Sequence, residues 1–335
     1  MKIPMAQSEG WFRYYASSPN YNLLVTPHPD FEQIIIREPN DYVIAREKAQ
    51  AAGCIVVDEI CQPHFIDLQN VAIFGIGDDL HSWDQKRFDL TYNFSKRCNL
   101  VFSDYMLTQP HPMTFGAQPR SERGNYVFCP NHAQGTTAPK WREWGERKGA
   151  VVPGTINPRI YPFRTQCSEI PGVEKQLISS IPGASEQWRY HEGFVDWISH
   201  YKIGITCNAV LGYTVAKYFE IPLAGALLFA ADIENSFEKM MYGFDSSNSI
   251  LLPRSQWFNA DNHLTSWQQL GSEDRTQGIA QAGQRLIMHR HTAVQRLNLI
   301  SSVIKAYMAG DYQNYDQWQH FVDSWGPAQT YWGNA

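Results

Sequence analysis

No run of this sequence reaches the ~18 apolar residues that a membrane-spanning helix needs. The start, MKIPMAQSEGWFRYY, lacks the apolar segment of a secretory signal. No Cys-x-x-Cys pair occurs. The six cysteines (54, 61, 98, 129, 167 and 207) are scattered, which suits reduced thiols better than a disulfide framework. An excess of positive charge is missing too. With a formal net charge of −5, nothing drives the whole chain onto nucleic acid or an anionic membrane, although a local basic groove stays open. Internal repeats and low-complexity segments are absent. Together these absences predict a soluble, cytoplasmic protein.

What is present is globular. At 335 residues, 43% apolar and 18% charged, the chain is long for one compact domain and comfortable for two. Aromatic residues are plentiful, but they fill cores as readily as they line sites for sugars and bases, so their number decides neither. Short apolar, β-branched runs alternate with helix-like segments, the pattern of parallel α/β layers. YNLLVTPHP (21–29), GCIVVDEI (53–60), NVAIFGIGDD (70–79), CNLVFSDY (98–105) and YVFCPNHA (126–133) read as strands, with PNDYVIAREKAQAAG as a helix ending on glycine. QGTTAPKWREWGERKG (134–149) is polar, basic and aromatic, and reads as an interdomain linker.

The alternation then restarts. GAVVPGTI (149–156), IGITCN (203–208) and ALLFAAD (226–232) read as strands; GFVDWISHYK (193–202) and Thr214–Ala224 read as helices. A long helix follows over 272–310, with Ser272 as N-cap, and an amphipathic helix over 312–325. The expected division is 1–142, 143–310 and a terminal 311–335 segment packing back on the first domain. In open parallel sheets ligands sit at the carboxyl ends of the strands, so the residues there are the candidates.

The segment TVAKYFEIPLAGALLFAAD (214–232) places Lys217 and Glu220 three residues apart, hence on one helix face. With Thr214 as N-cap, first-turn N–H groups could receive a phosphate, Lys217 could add charge to a diphosphate, and Glu220 could accept from a ribose diol. The same spacing also describes an ordinary ion pair on an exposed helix.

SHYKIGITCNAVLGYTVAKYFEIPLAGALLFAAD resembles the C-terminal domain of GT-B glycosyltransferases, especially the CgeB-like and "glycosyl transferases group 1" types. IAQAGQRLIMHRHTAVQR (279–296) is similar to the segment that trails it; beyond 200–296 the likeness is weak. The resemblance implies a fold of two Rossmann-like domains facing across a cleft, with Glu220 on the donor ribose and Lys217 on the diphosphate. Retaining members of a related family carry a second Glu eight residues on, where this chain has Leu228, so the stereochemical outcome stays open.

Other candidates follow from position and from that resemblance. PGTINPRIYPFR (153–164) offers Gly154 and then Arg159 and Arg164 as a diphosphate site, with Arg164 favoured because it opens a helix. Phage DNA glucosyltransferases have a similar Gly-then-Arg loop. The two residues Asp78 and Asp79, past a buried strand, supply a base for an acceptor hydroxyl or merely cap the next helix. Tyr190 and His191 lie where GT-B enzymes often read the nucleobase. His28 is placed either on the acceptor side or in a turn, the Cys-x-x-His of CPNHAQ is a poor zinc site, and the histidines of HRHT are expected at a surface or interface. The expected activity is transfer of a sugar from a nucleoside-diphosphate sugar, taken as a UDP-sugar, to a hydroxyl of a glycan, glycoprotein or small molecule, with no metal or other cofactor. The alternatives are a DNA-base glycosyltransferase using the basic residues Lys140, Arg142, Arg147 and Lys148, an epimerase or hydrolase, and a non-catalytic nucleotide-sugar-binding relative.

Overall fold

The computed structural model describes residues 2–8, 23, 26–58, 64–76, 96–103, 126–130, 132–133, 139–176, 190–208, 214–269 and 273–312. Asp78 and Asp79, Ser272 and the terminal helix expected from 312 lie outside these, Tyr312 excepted. The chain divides into two compact units at Pro130 and again at Arg296, where it returns to the first.

The first unit is a parallel sheet of six strands: β1 (Ile3–Ser8), β2 (Phe31–Ile36), β3 (Cys54–Asp58), β4 (Ala72–Ile76), β5 (Leu100–Ser103) and β6 (Tyr126–Phe128), in the order β2-β1-β3-β4-β5-β6. Of the strand expected over 21–29, residues 21, 22, 24 and 25 lie outside the described residues and 26–29 are not strand: the chain bends at Thr26 and turns at Pro29–Asp30, and the sheet takes IPMAQS and FEQIII. Pro4 makes IPMAQS look unlike a central strand. It lies outside the β1–β3 ladder, whose pairs are Met5↔Val56 and Ala6↔Val57, so its missing N–H breaks nothing there. Helix α1 (Pro39–Ala52) starts with a capping box between Glu38 and Asp41 and stops at Gly53, whose φ of +69° suits glycine. One sheet face carries the core of Ala6, Ile55, Val57, Ile73 and Val101 against Ala45 and Ala49 of α1.

The second unit repeats the plan with five parallel strands: β7 (Lys148–Pro153), β8 (Val173–Gln176), β9 (Tyr201–Thr206), β10 (Leu227–Ala231) and β11 (Ile250–Leu252), in the order β11-β10-β9-β7-β8. Around it lie α2 (Pro162–Cys167), α3 (Tyr190–Ile198), α4 (Lys217–Leu223), α5 (Ser236–Tyr242), α6 (Ala260–Gln269) and α7 (Glu273–Arg290). Each sheet therefore has its second strand on one side of the first and its third on the other, which makes a switch point between first and third strands. The described end of the expected linker is packed through Trp144 and Arg147, not exposed throughout. Trp144 is 4% exposed in the second core, beside Val152, Ile203 and Phe229.

The long helix expected over 272–310 is two helices, α7 and α8 (Ala293–Met308). Between them, Thr292 N–H donates to Gln295 Oε1 at 2.8 Å and starts the second helix. His291 is fully buried, Nε2 2.9 Å from the Tyr242 carbonyl, and not at a surface. From Arg296 on, α8 belongs to the first unit for identifiable reasons. Arg296 Nε donates to the Pro130 carbonyl, while Ser301 Oγ (2.7 Å) and Lys305 Nζ (2.8 Å) both donate to Asp30 Oδ2. Tyr307 packs edge-on to Phe74. His28 stands in the turn before β2: its Nδ1 accepts from Asp30 N–H and its Nε2 donates to Asn298 Oδ1 at 2.8 Å. Those bonds make it a tether for α8.

The approach of α4 to the second sheet is close. A Cβ at Gly204 in β9 would stand 2.6 Å from Ile221 Cγ2, and Ile221 is itself fully buried. Gly204→Ala is therefore expected to lower the urea midpoint by the equivalent of about 1–3 kcal/mol. Adding Ile221→Ala should make the joint loss smaller than the sum of the two single losses. Strictly additive losses would show that the contact does not govern the packing.

Candidate functional site

The second sheet presents its switch point at the carboxyl ends of β7 and β9. After β7 the chain turns through Gly154, buried and with φ +93°, a value that only glycine adopts readily. Arg164, from α2, is 2% exposed and ties the two strand ends together. Its Nη1 donates to the Thr155 carbonyl at 3.0 Å and its Nη2 to Thr206 Oγ1 at 2.9 Å. The guanidinium lies 4.1 Å from the Tyr161 ring centroid, and its buried Nε has no hydrogen-bond partner among the described residues.

Beside it stand Lys217 and Glu220, with Nζ and Oε2 3.7 Å apart and side chains 16% and 2% exposed. This is a buried pair at the sheet edge, unlike an ion pair on a solvated helix face. The Lys217 ammonium sits 5.1 Å from the Phe194 ring centroid of α3. Burial pushes Lys217 down; Glu220 partly offsets this, and the charge of Arg164 adds to the lowering. Burial pushes Glu220 up, opposed by Lys217 and then by Arg164. Three charges, two positive and one negative, thus feel one another in a dry site.

α4 is shorter at its start than the sequence suggests. It begins at Lys217, not 214, and the Thr214 hydroxyl donates to Glu238 Oε2 at 3.2 Å instead of capping it. Three N–H groups of the first turn are spent as well: Tyr218 N–H donates to the Val215 carbonyl, and Phe219 and Glu220 N–H both donate to that of Ala216. Full positive charge here comes from Lys217 and Arg164. The other end is a Schellman turn, with Ala226 N–H on Ile221 O, Gly225 N–H on Pro222 O and Gly225 at φ +72°. Pro222 lies inside the helix, fully buried with its neighbours.

The remaining candidates fall elsewhere. Arg159 is exposed in the turn after Gly154, its N–H bonded to Asn157 Oδ1. Tyr190 and His191 open α3. Leu228 is fully buried in β10, so no carboxylate stands there. The basic stretch is largely occupied: Arg142 pairs with Asp196 at 3.0 Å, Lys148 with Glu174 at 3.7 Å, and Arg147 is buried. The Arg147 guanidinium lies against the Trp141 and Trp144 rings and donates to the Gly225 carbonyl at 2.6 Å; burial lowers its pKa to about 10. Sequence reasoning missed Phe194, Thr206, Tyr161 and Glu238. No spacing motif joins them to Lys217 or Arg164; their strand-end and helix-start positions were the available signal. Among the described residues no group of three or more His, Cys, Asp or Glu is placed to hold a metal ion, and no helix is long and apolar enough to cross a membrane.

No family model matches the chain, and no curated protein matches it by sequence. Solved structures do match in fold. Anabaena Alr3699/HepE in complex with UDP-glucose superposes with a TM-score of 0.54 at 14% identity, over 91% of this chain and 100% of that one. The same protein with UDP gives 0.54 at 12% identity, over the same shares. The pneumococcal O-GlcNAc transferase GtfA, with UDP and GlcNAc, gives 0.48 at 10% identity over 79% of this chain, which spans 60% of the length of that protein. The fold is accordingly α/β of GT-B type, two parallel sheets flanked by helices.

The buried pair makes a pH-dependent prediction. Lys217→Met removes the main influence holding Glu220 down, so its carboxyl rises further above the usual range. A carboxyl raised by folding binds its proton more tightly in the folded state. The variant therefore gains stability as pH falls toward the unfolded carboxyl value and loses it as pH rises through the folded one. We expect a loss of about 3 kcal/mol at pH 7.5 and a clearly smaller one at pH 5, by urea unfolding. Equal losses at both pH values would contradict a buried carboxylate at this position.

Proposed function

We propose that this protein is a glycosyltransferase. Its second unit binds a nucleoside-diphosphate sugar, taken as a UDP-sugar, and the sugar passes to a hydroxyl of a glycan, glycoconjugate or small molecule. The observation that carries this reading is the buried Lys217–Glu220 pair beside Arg164 at the carboxyl edge of the second sheet. Two cations suit the oxygens of a diphosphate, and they offset charge growing on the departing nucleoside diphosphate. A carboxylate one turn away suits a ribose diol, which neighbours the diphosphate in any nucleotide. Gly154 lets the backbone approach without a side chain in the way. The UDP-glucose of the HepE complex, on the same fold, says which nucleotide to try first.

In this reading Glu220 holds the ribose, Lys217 contacts the diphosphate, and Arg164 acts from beneath, since its Nη groups already serve Thr155 and Thr206. Thr214 and Arg159 flank the site, Tyr190 and His191 are assigned to the base, and Asp78 or Asp79 to the acceptor proton. The chemistry needs no metal. A glycan or glycoconjugate is preferred over DNA as acceptor, because the basic stretch that DNA would need is mostly engaged within the protein.

A thermal-shift series tests the core claim. UDP-glucose or UDP at a hundred times Kd should stabilise the protein by about 2.7 kcal/mol, with free glucose inert. Lys217→Met/Glu220→Gln removes both charges together, so it should fold but lose the response. Silence toward every UDP-, GDP- and ADP-sugar in the wild type would sink the proposal. Asp78→Asn and Asp79→Asn, assayed for transfer, check the base: one of them should fall by at least a hundredfold. Sugar turnover without any acceptor would favour an epimerase or hydrolase.

A further inference from the structure

Arg164 crosses the carboxyl end of the second sheet, and one side chain explains why. Its helix, α2, lies on the sheet face where Phe163 and Cys167 join Ile203, Ile205 and Phe229 in one core. The Arg164 backbone N–H donates to Cys207 Sγ at 3.4 Å, which fixes the root of the side chain just past β9. Helix α4, with Lys217 and Glu220, covers the other face, where Gly204 meets Ile221. Side chains alternate along a strand, so Thr206 shares the face of Gly204 and not that of Ile203 and Ile205.

Thr206 is fully buried, and its hydroxyl accepts from Arg164 Nη2 at 2.9 Å. That bond draws the guanidinium over the end of β9, from the α2 face to the α4 face. The other two holds on it are the Thr155 carbonyl at Nη1 and the Tyr161 ring at 4.1 Å, and both belong to the segment between β7 and α2. Drawn across, Arg164 stands close enough for its charge to act on Lys217 and on Glu220.

We propose that Thr206 is a positioning residue for the donor: its hydroxyl places the Arg164 charge beside Lys217, where the diphosphate binds. This rests on the nucleoside-diphosphate reading of the site. Thr206 touches no ligand; it acts through Arg164. A hydrogen bond from a charged donor is roughly twice as strong as a neutral one, so without it the guanidinium relaxes toward Thr155 and Tyr161. The effect falls on the charged part of the ligand. Uridine, with the base and ribose but no phosphate, does not feel it.

Titration calorimetry with UDP and saturation-transfer NMR with uridine, on the full-length protein, test the role. Thr206→Val keeps the shape and loses the hydroxyl, so UDP affinity should fall about tenfold while uridine binding is unchanged. Thr206→Ser keeps the hydroxyl and should bind UDP within about twofold of the wild type. Arg164→Met should lose at least as much as the valine variant, and adding Thr206→Val to it should cost nothing more, since the group it positions is gone. That pair leaves no unpaired guanidinium, so it reports even where the single valine variant unfolds. Equal losses for UDP and uridine, a serine variant as weak as the valine, or a further loss in the Arg164→Met background would each overturn the proposal. A wild type that binds UDP beside a valine variant that binds it equally well sinks the role of Thr206 and leaves the donor reading standing. A wild type silent to UDP sinks the donor reading, and this role with it.

Discussion

Gly204 carries no side chain, and Ile221 fills the space one would take. That contact sets how near α4 lies to β9, and much of the second unit follows from it. Tyr218 reaches the Ala231 carbonyl at 2.6 Å and fastens the same helix to β10. Gly283 lets α7 close over the other side, since a Cβ there would stand 2.8 Å from the Asn248 carbonyl and 3.3 Å from Pro222 Cβ. Gln284 Nε2 then donates to the Leu223 carbonyl at 2.8 Å, satisfying the helix end. A seven-residue helix has little stability of its own. Packed on three sides, it becomes a rigid mount for two side chains at its start.

Those two side chains are charged and nearly dry, which a fold does not tolerate for its own sake. Removing an ammonium and a carboxylate from water costs several kcal/mol, and their mutual attraction at 3.7 Å returns only part of it. A pair of well-packed apolar residues would serve the core better. The placement makes sense if something else arrives whose charges and hydroxyls complete the set, which is why the pair and not the fold carries the functional reading.

Much of the α/β plan is legible along the chain. The strands β3, β4, β5, β7, β9 and β10 lie inside apolar, β-branched runs bounded by turns, and the end of α1 is marked by Gly53. Where reading by pattern fails, the cause is a long-range bond. Pro4 disguises β1, which is held by a neighbour joining at Met5. No local signal splits 272–310; His291 bonds to Tyr242, and Thr292 starts a new helix on Gln295. Trp144 and Arg147 look like tether residues and are core because Gly225 and Trp141 lie against them.

The sequence by itself determined the alternation of strands and helices, the doubling of that plan, and the adjacency of Lys217 and Glu220, because each depends on residues a few positions apart. Only the tertiary structure decided that the pair is buried, that Arg164 stands beside it, and that Thr214 serves Glu238. Burial and electrostatic coupling depend on which distant strands lie side by side, and strand order is set by packing across the whole sheet, not by any local pattern.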